Sequence, residues 1–189
     1  MTMKGKDEAI RNLNIIVEKV TPIATAQAIN RIAARAVSRS VKQTSKEVKI
    51  QQKIIRKRVK LQKASVKHGA PKARITVNRG NLPAIVLGTA RVQLSRSRGI
   101  ERRHGSVLKV GKFTFKGAFI QQLKNGKWHV MQRLSLSRYP IDVVKIPVSK
   151  PLTEAFEEHA IKVREEDMSK EMRDALNNQL RLYFKGGSD

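Results

Sequence analysis

The hydrophobic period of this 189-residue chain changes at His68-Gly69-Ala70-Pro71 and returns to a helical one beyond Pro147. Before that break apolar residues recur at steps of three and four, and after it they alternate with polar ones. Helical and strand patterns that are segregated rather than interleaved restrict the chain to the α+β class. The expected architecture is a set of long N-terminal helices, a central mainly antiparallel β-sheet and a C-terminal helix packed on the sheet. Residues 1–68 form a helical region and residues 69–189 a sheet-plus-helix core, read as one domain with an extended helical arm.

The helical part has its own punctuation. Ile10, Leu13, Val17 and Val20 predict a short amphipathic helix over 7–20. Thr21-Pro22 predicts an N-cap with proline at the first helical position. A long helix then runs from Pro22 to about Ser45, rich in alanine at 24, 26, 28, 33, 34 and 36. Such alanine faces permit close helix–helix approach. Thr44 and Glu47 have capping-box spacing, so a second helix to about Lys60 is one reading and a single uninterrupted helix the other. Residues 58–66 fit either a helix or a strand.

Beyond Pro71 the predicted strands are 73–78, 84–87, 90–94, 107–115, 118–123, 128–133 and 141–146. Lys124-Asn125-Gly126-Lys127 between two alternating runs predicts a hairpin with a type I′ turn. Residues 95–106 are rich in Ser, Gly and Arg and read as a loop. Ser149 is a candidate N-cap ahead of Pro151, and apolar residues carry a helix to about Lys185 with Ser169 placed to cap a second segment.

Charge is the second constraint. The chain holds 40 Lys and Arg against 15 Asp and Glu, a net of +25. Residues 1–70 contribute +13, residues 71–150 contribute +15 and residues 151–189 contribute −3. Such a charge repels itself and calls for a polyanionic or acidic partner. Part of it is periodic. Arg31, Arg35, Arg39, Lys42, Lys46, Lys49, Lys53, Arg56, Lys60, Lys63 and Lys67 follow one another at steps of three and four, as one continuous helical face. Glu47 is the one acid between Arg31 and Lys67, so local salt bridging does not account for the stripe. A second cluster, Arg96, Arg98, Arg102 and Arg103, lies in the predicted loop and fits an arm that orders on phosphate or carboxylate. A solvated face is the bland alternative for the stripe, and a disordered segment for the loop.

Catalytic chemistry is not expected. Only Glu101 and Asp142 are acidic between 48 and 150, which leaves little for a carboxylate or Mg²⁺ site. The four histidines, His68, His104, His129 and His159, lack metal-ligand spacing, and there is no cysteine. No phosphate loop or nucleophile elbow occurs, and neither an enzyme nor a cofactor is predicted. Phe113, Phe115, Phe119 and Trp128 fall in the predicted sheet, where they are expected to supply core bulk rather than base-stacking platforms. Contact with nucleic acid would therefore be backbone neutralisation without sequence readout. No apolar run approaches a membrane span, no signal peptide is visible at the N-terminus, and no membrane partner is expected.

The run Gly117-Ala118-Phe119-Ile120-Gln121-Gln122-Leu123-Lys124-Asn125-Gly126-Lys127-Trp128-His129-Val130-Met131-Gln132-Arg133 closely resembles the minor tail protein Z family of lambda-like siphophages. Arg138-Tyr139-Pro140-Ile141-Asp142-Val143-Val144-Lys145-Ile146-Pro147, residues 73–83 and Ala28-Ile29-Asn30-Arg31 fit it as well. The resemblance implies a tail-completion role at the head-proximal end, near the tail terminator and tape measure proteins, with the DNA end placed in the tail. It also implies a location in the virion tail, assembly in the host cytoplasm, and kinship with tail-completion and neck proteins that often work as homo-oligomeric rings. The stripe and the arginine loop would then meet phage DNA or acidic surfaces of neighbouring tail proteins. A free basic protein that binds the nucleic-acid backbone remains the alternative.

Overall fold

The computed structural model describes residues 3–67, 69–93, 107–135 and 139–186. It is α+β. Helices α1 (Met3–Ile15), α2 (Thr21–Glu47) and the short α3 (Gln52–Arg56) come first. Ten short strands follow among the described residues: β1 (Val59–Gln62), β2 (Arg74–Val77), β3 (Leu82–Pro83), β4 (Ala90–Gln93), β5 (Val107–Val110), β6 (Phe113–Lys116), β7 (Ala118–Gln122), β8 (Trp128–Arg133), β9 (Ile141–Val143) and β10 (Lys145–Ile146). Helix α4 (Ser149–Gly186) closes the chain. The strands do not form one sheet. They make four small antiparallel sheets, β1-β2, β3-β10, β4-β5-β6 and β7-β8-β9.

Two compact units result. The first comprises Met1–Lys42, Val59–Val77 and Glu154–Asp189, and the second Gln43–Arg58 and Asn78–Thr153. In the first unit α2 and α4 run antiparallel. Ala24 and Ala28 pack on Ala175 at one end, and Ile32 and Ala36 on Val163 farther along. The buried Ser40 hydroxyl lies 3.0 Å from the Ala155 carbonyl, an approach that small side chains permit. Ile75 of β2 joins the Val163 cluster, so the C-terminal helix packs on both a helix and a sheet.

Helix α1 passes into α2 without a cap. Pro22 has no N–H, and its ring conflicts with the carbonyl four residues back. The chain absorbs this with a π-helical turn over Ile16–Val20, Thr21 is itself helical (φ −62°, ψ −47°), and its hydroxyl donates to the Ile16 carbonyl at 2.9 Å. The predicted N-cap at Thr21 is therefore not formed. Nor does Thr44 start a helix: it is buried inside α2, and its carbonyl accepts the Val48 N–H at 2.9 Å. The helix ends at Glu47, and two residues on Lys49 adopts φ 55°. Helix α3 is a single short turn that starts without a side-chain cap.

Three predicted strands are divided or replaced. Residues 84–87 form a 3₁₀ turn, which brings Ala84 and Leu87 to one buried side as their spacing of three requires. Residues 107–115 fold into a hairpin, with Val110 opposite Phe113 across Gly111-Lys112. Gly111 at φ 58° supplies the positive first position of a II′-type turn. The run 141–146 splits at Val144, whose N–H donates to Val130 and whose carbonyl accepts from Ala84. Strands β7 and β8 meet across Lys124-Asn125-Gly126, with Leu123 N–H to Lys127 carbonyl at 3.0 Å. Gly126 alone of the three has positive φ, so the loop is a three-residue form in place of the predicted I′ turn. Helix α4 runs without interruption, and Ser169 lies in its middle rather than at a cap.

Candidate interaction surface

The basic stripe is not one helical face. Arg31, Arg35, Arg39, Lys42 and Lys46 lie on α2, Lys49 at the break beyond it, and Lys53 and Arg56 on α3. Lys60 is on β1, and Lys63 and Lys67 follow it. Arg96, Arg98, Arg102 and Arg103 lie outside the described residues.

Arg31, Arg35 and Arg39 have partners that the spacing of the stripe did not reveal. Arg35 places one guanidinium nitrogen 2.7 Å from Asp167 and another against Glu171. Arg31 approaches Glu171 at 3.4 Å, and Arg39 lies 3.5 Å from Asp167 and 3.7 Å from Glu166. The acids come from α4, more than 120 residues away in sequence. Contact with Arg35 holds the Asp167 and Glu171 carboxyls below their ordinary values, and Arg35 is raised by Asp167 and then Glu171. The side chain of Glu171 is only 8% exposed, whereas that of Arg35 is 36% exposed. A carboxylate so placed needs its cations to remain charged. Salt bridging thus does account for the first three members of the stripe, against the sequence-based expectation. The signal was present in one respect: Asp167 and Glu171 are four apart, the step that separates Arg31, Arg35 and Arg39.

Arg58, outside the stripe, is also structural. Its Nε donates to the Asn78 carbonyl at 3.1 Å, and Nη2 reaches Asn78 Oδ1 and the Gly80 carbonyl. Burial lowers its guanidinium from the usual value.

The second unit keeps its charge. It holds 21 Lys and Arg against Glu47, Glu101 and Asp142, a net of +18. The first unit holds 19 against 12, a net of +7. Within the second unit a cavity of about 370 Å³ has Ile50, Leu87 and Phe113 in its wall and Lys46, Lys49 and Lys112 at its edge. A second cleft, lined by Thr89, Arg91 and Lys109, meets it at Gly111. The aromatic residues divide: Phe113 and Phe115 are half-buried and stacked with centroids 6.5 Å apart, and Arg133 lies over the Phe119 ring. Trp128 is 56% exposed and does not supply core, contrary to expectation.

A sequence profile described as Prophage minor tail protein Z (GPZ) matches residues 3–186. The chain belongs to the prophage minor tail protein Z family. The tail completion protein of Escherichia phage N15 is 54% identical over 184 residues, covering 97% of this chain and 99% of that one. Tail completion protein Z of Escherichia phage lambda is 49% identical over 193 residues, covering 98% and 100%. Membership of the family therefore extends over both units. No solved structure matches the chain. Among the described residues of this family member, no helix is long and apolar enough to cross a membrane, and no three His, Asp or Glu side chains are grouped to hold a metal ion.

Proposed function

We propose that this member of the minor tail protein Z family is a structural, non-enzymatic protein of tail completion. It acts at the head-proximal end of a phage tail, several copies forming a ring around the DNA path. The second unit presents its net +18 to DNA phosphates or to acidic surfaces of neighbouring tail proteins, the tail terminator and tape measure among them. Its place of work is the virion tail, reached by assembly in the host cytoplasm. The observation that carries the reading is an almost acid-free basic unit in a chain alike over 97% and 98% of its length to two tail completion proteins. Lys and Arg neutralise phosphate without reading sequence, which suits any DNA end that passes through.

Of the stripe, Lys46, Lys49, Lys53 and Arg56 of the second unit remain in this role, and Lys42, Lys60, Lys63 and Lys67, which belong to the first unit, keep the same proposed contact. Arg31, Arg35 and Arg39 contribute through whatever charge their carboxylate partners leave. Complementation tests the reading. A phage lacking its tail completion protein is supplied with this chain, or with Lys46, Lys49, Lys53 and Arg56 changed to Glu. The expected result is infectious particles with the first and a loss of at least tenfold with the second, at equal folded protein. Sedimentation of the purified chain across a salt series tests the ring. Oligomers without nucleic acid are expected, whereas a monomer that binds duplex DNA with steep salt dependence identifies a free nucleic-acid binder instead.

A further inference from the structure

The cavity of the second unit differs from the rest of its basic surface in having an apolar interior. Ile50 and Leu87 are buried in its floor, Ile54 and Phe113 are half-buried in its walls, and Lys46, Lys49 and Lys112 are exposed at its edge. No carboxylate lines it. The neighbouring cleft with Arg91 and Lys109 extends the cationic edge past Gly111. Gly111 is required there, since a Cβ on it would lie 3.2 Å from the Leu87 carbonyl at a positive φ. The β5–β6 turn therefore lies close against the Leu87 backbone. Lys49 stands in a left-handed backbone position that favours glycine.

We propose that this cavity docks an acidic segment of a partner protein, which inserts one apolar side chain between Ile50, Leu87 and Phe113 while flanking Asp or Glu residues meet the lysines. A DNA backbone satisfies the lysines and leaves the floor without a partner. A peptide of the sequence type acid–apolar–acid satisfies both, and the charge of the edge selects against basic or neutral segments. The inference rests on the tail-completion reading only for the partner's source in the tail; the chemistry of the site is independent of it.

The test uses the full chain and a labelled seven-residue peptide of Asp and Glu around a central Phe, compared with the same peptide carrying Gly at the centre. The Phe peptide is expected to bind at least tenfold more tightly. Lys46→Glu with Lys112→Glu removes that binding, and Lys124→Glu with Lys127→Glu, in the β7–β8 loop, changes it less than twofold. Equal binding of the two peptides, or equal loss in the two double variants, overturns the proposal in favour of diffuse electrostatics. Displacement of the Phe peptide by a single-stranded or duplex oligonucleotide as readily as by unlabelled peptide overturns it in favour of a nucleic-acid site. Complementation separates the two readings. If the peptides fail to discriminate while the charge-reversed chain still blocks particle completion, the docking site falls and tail completion stands. If Lys46→Glu with Lys112→Glu abolishes peptide binding yet yields full titre, the site stands and its use in the tail falls.

Discussion

The two units of this chain are both basic, but their charges do different work. In the first, Arg31, Arg35 and Arg39 face Glu166, Asp167 and Glu171, and the cations hold two helices together. In the second, three acids stand against 21 cations, too few to neutralise them. Net charge is thus a poor measure of charge offered to a partner. Substitution of the helix-bridging arginines of the first unit should be costly to folding, and substitution of the exposed lysines of the second nearly silent.

The sharpest test of that contrast is Arg35→Ala. It leaves the poorly exposed Glu171 without its nearest cation and Asp167 without its closest contact. A clear loss of stability in urea unfolding is expected, below that for a fully buried pair because Arg35 is partly exposed. Lys112→Ala should change stability by less than about 0.5 kcal/mol. Equal costs at the two positions break the comparison. Asn30→Ala follows at about 2 kcal/mol. The Asn30 amide donates to the Ala64 carbonyl at 3.0 Å and accepts the Ala64 N–H at 2.6 Å, so one truncation strands two backbone groups.

Acid should act on the first unit through the same network. Asp167 and Glu171 are held below their ordinary values of 3.8 and 4.5, so the unfolded chain binds protons before the folded one does. Their stabilisation is complete above those ordinary values and is lost as pH falls through the depressed ones. Melting temperature should therefore drop on acidification below about pH 4.5. In Glu171→Gln the curve should start lower and fall less steeply, and an unchanged slope would rule out this carboxylate as the source.

How far the sequence disclosed these features depends on the length scale of the signal. The alanine face of α2 was legible because helical spacing sets Ala24 and Ala28 on one side, and both are buried. The hairpin at Gly111-Lys112 was only half legible: Gly111 signals a turn or bulge, but 107–115 reads as a single strand although its apolar positions shift from even (108, 110) to odd (113, 115) across the turn. The stripe failed in another way. Its steps of three and four continue past Glu47 although the chain leaves the helix there, since the spacing of exposed lysines through turns and a strand is under no helical constraint. The partners of Arg31 and Arg35 lie 140 and 136 residues away, and no local period reports which helix meets which. The resemblance of 117–133 to the minor tail protein Z family, by contrast, needed no structure, and the family match extends it to residues 3–186.

The smallest effect bears on the boundary between packing and function at Lys49. With φ 55° this residue occupies the left-handed region at the end of α2, where a side chain costs about 1–2 kcal/mol and glycine nothing. Glycine also loses more chain entropy on folding, about 0.5–1 kcal/mol. The difference leaves Lys49→Gly more stable by about 0.5–1 kcal/mol, a rise of a few degrees in melting temperature. Ser45, whose hydroxyl donates to the Ile50 carbonyl at 2.5 Å, and the buried Ile50 hold the break in place, so the backbone has no reason to move. The same change removes one of three lysines from the edge of the cavity. Greater stability with weaker binding of the acidic Phe peptide is the expected pair of results. Greater stability with unchanged binding would make Lys49 a tolerated residue at a helix end, and leave the cavity to Lys46 and Lys112.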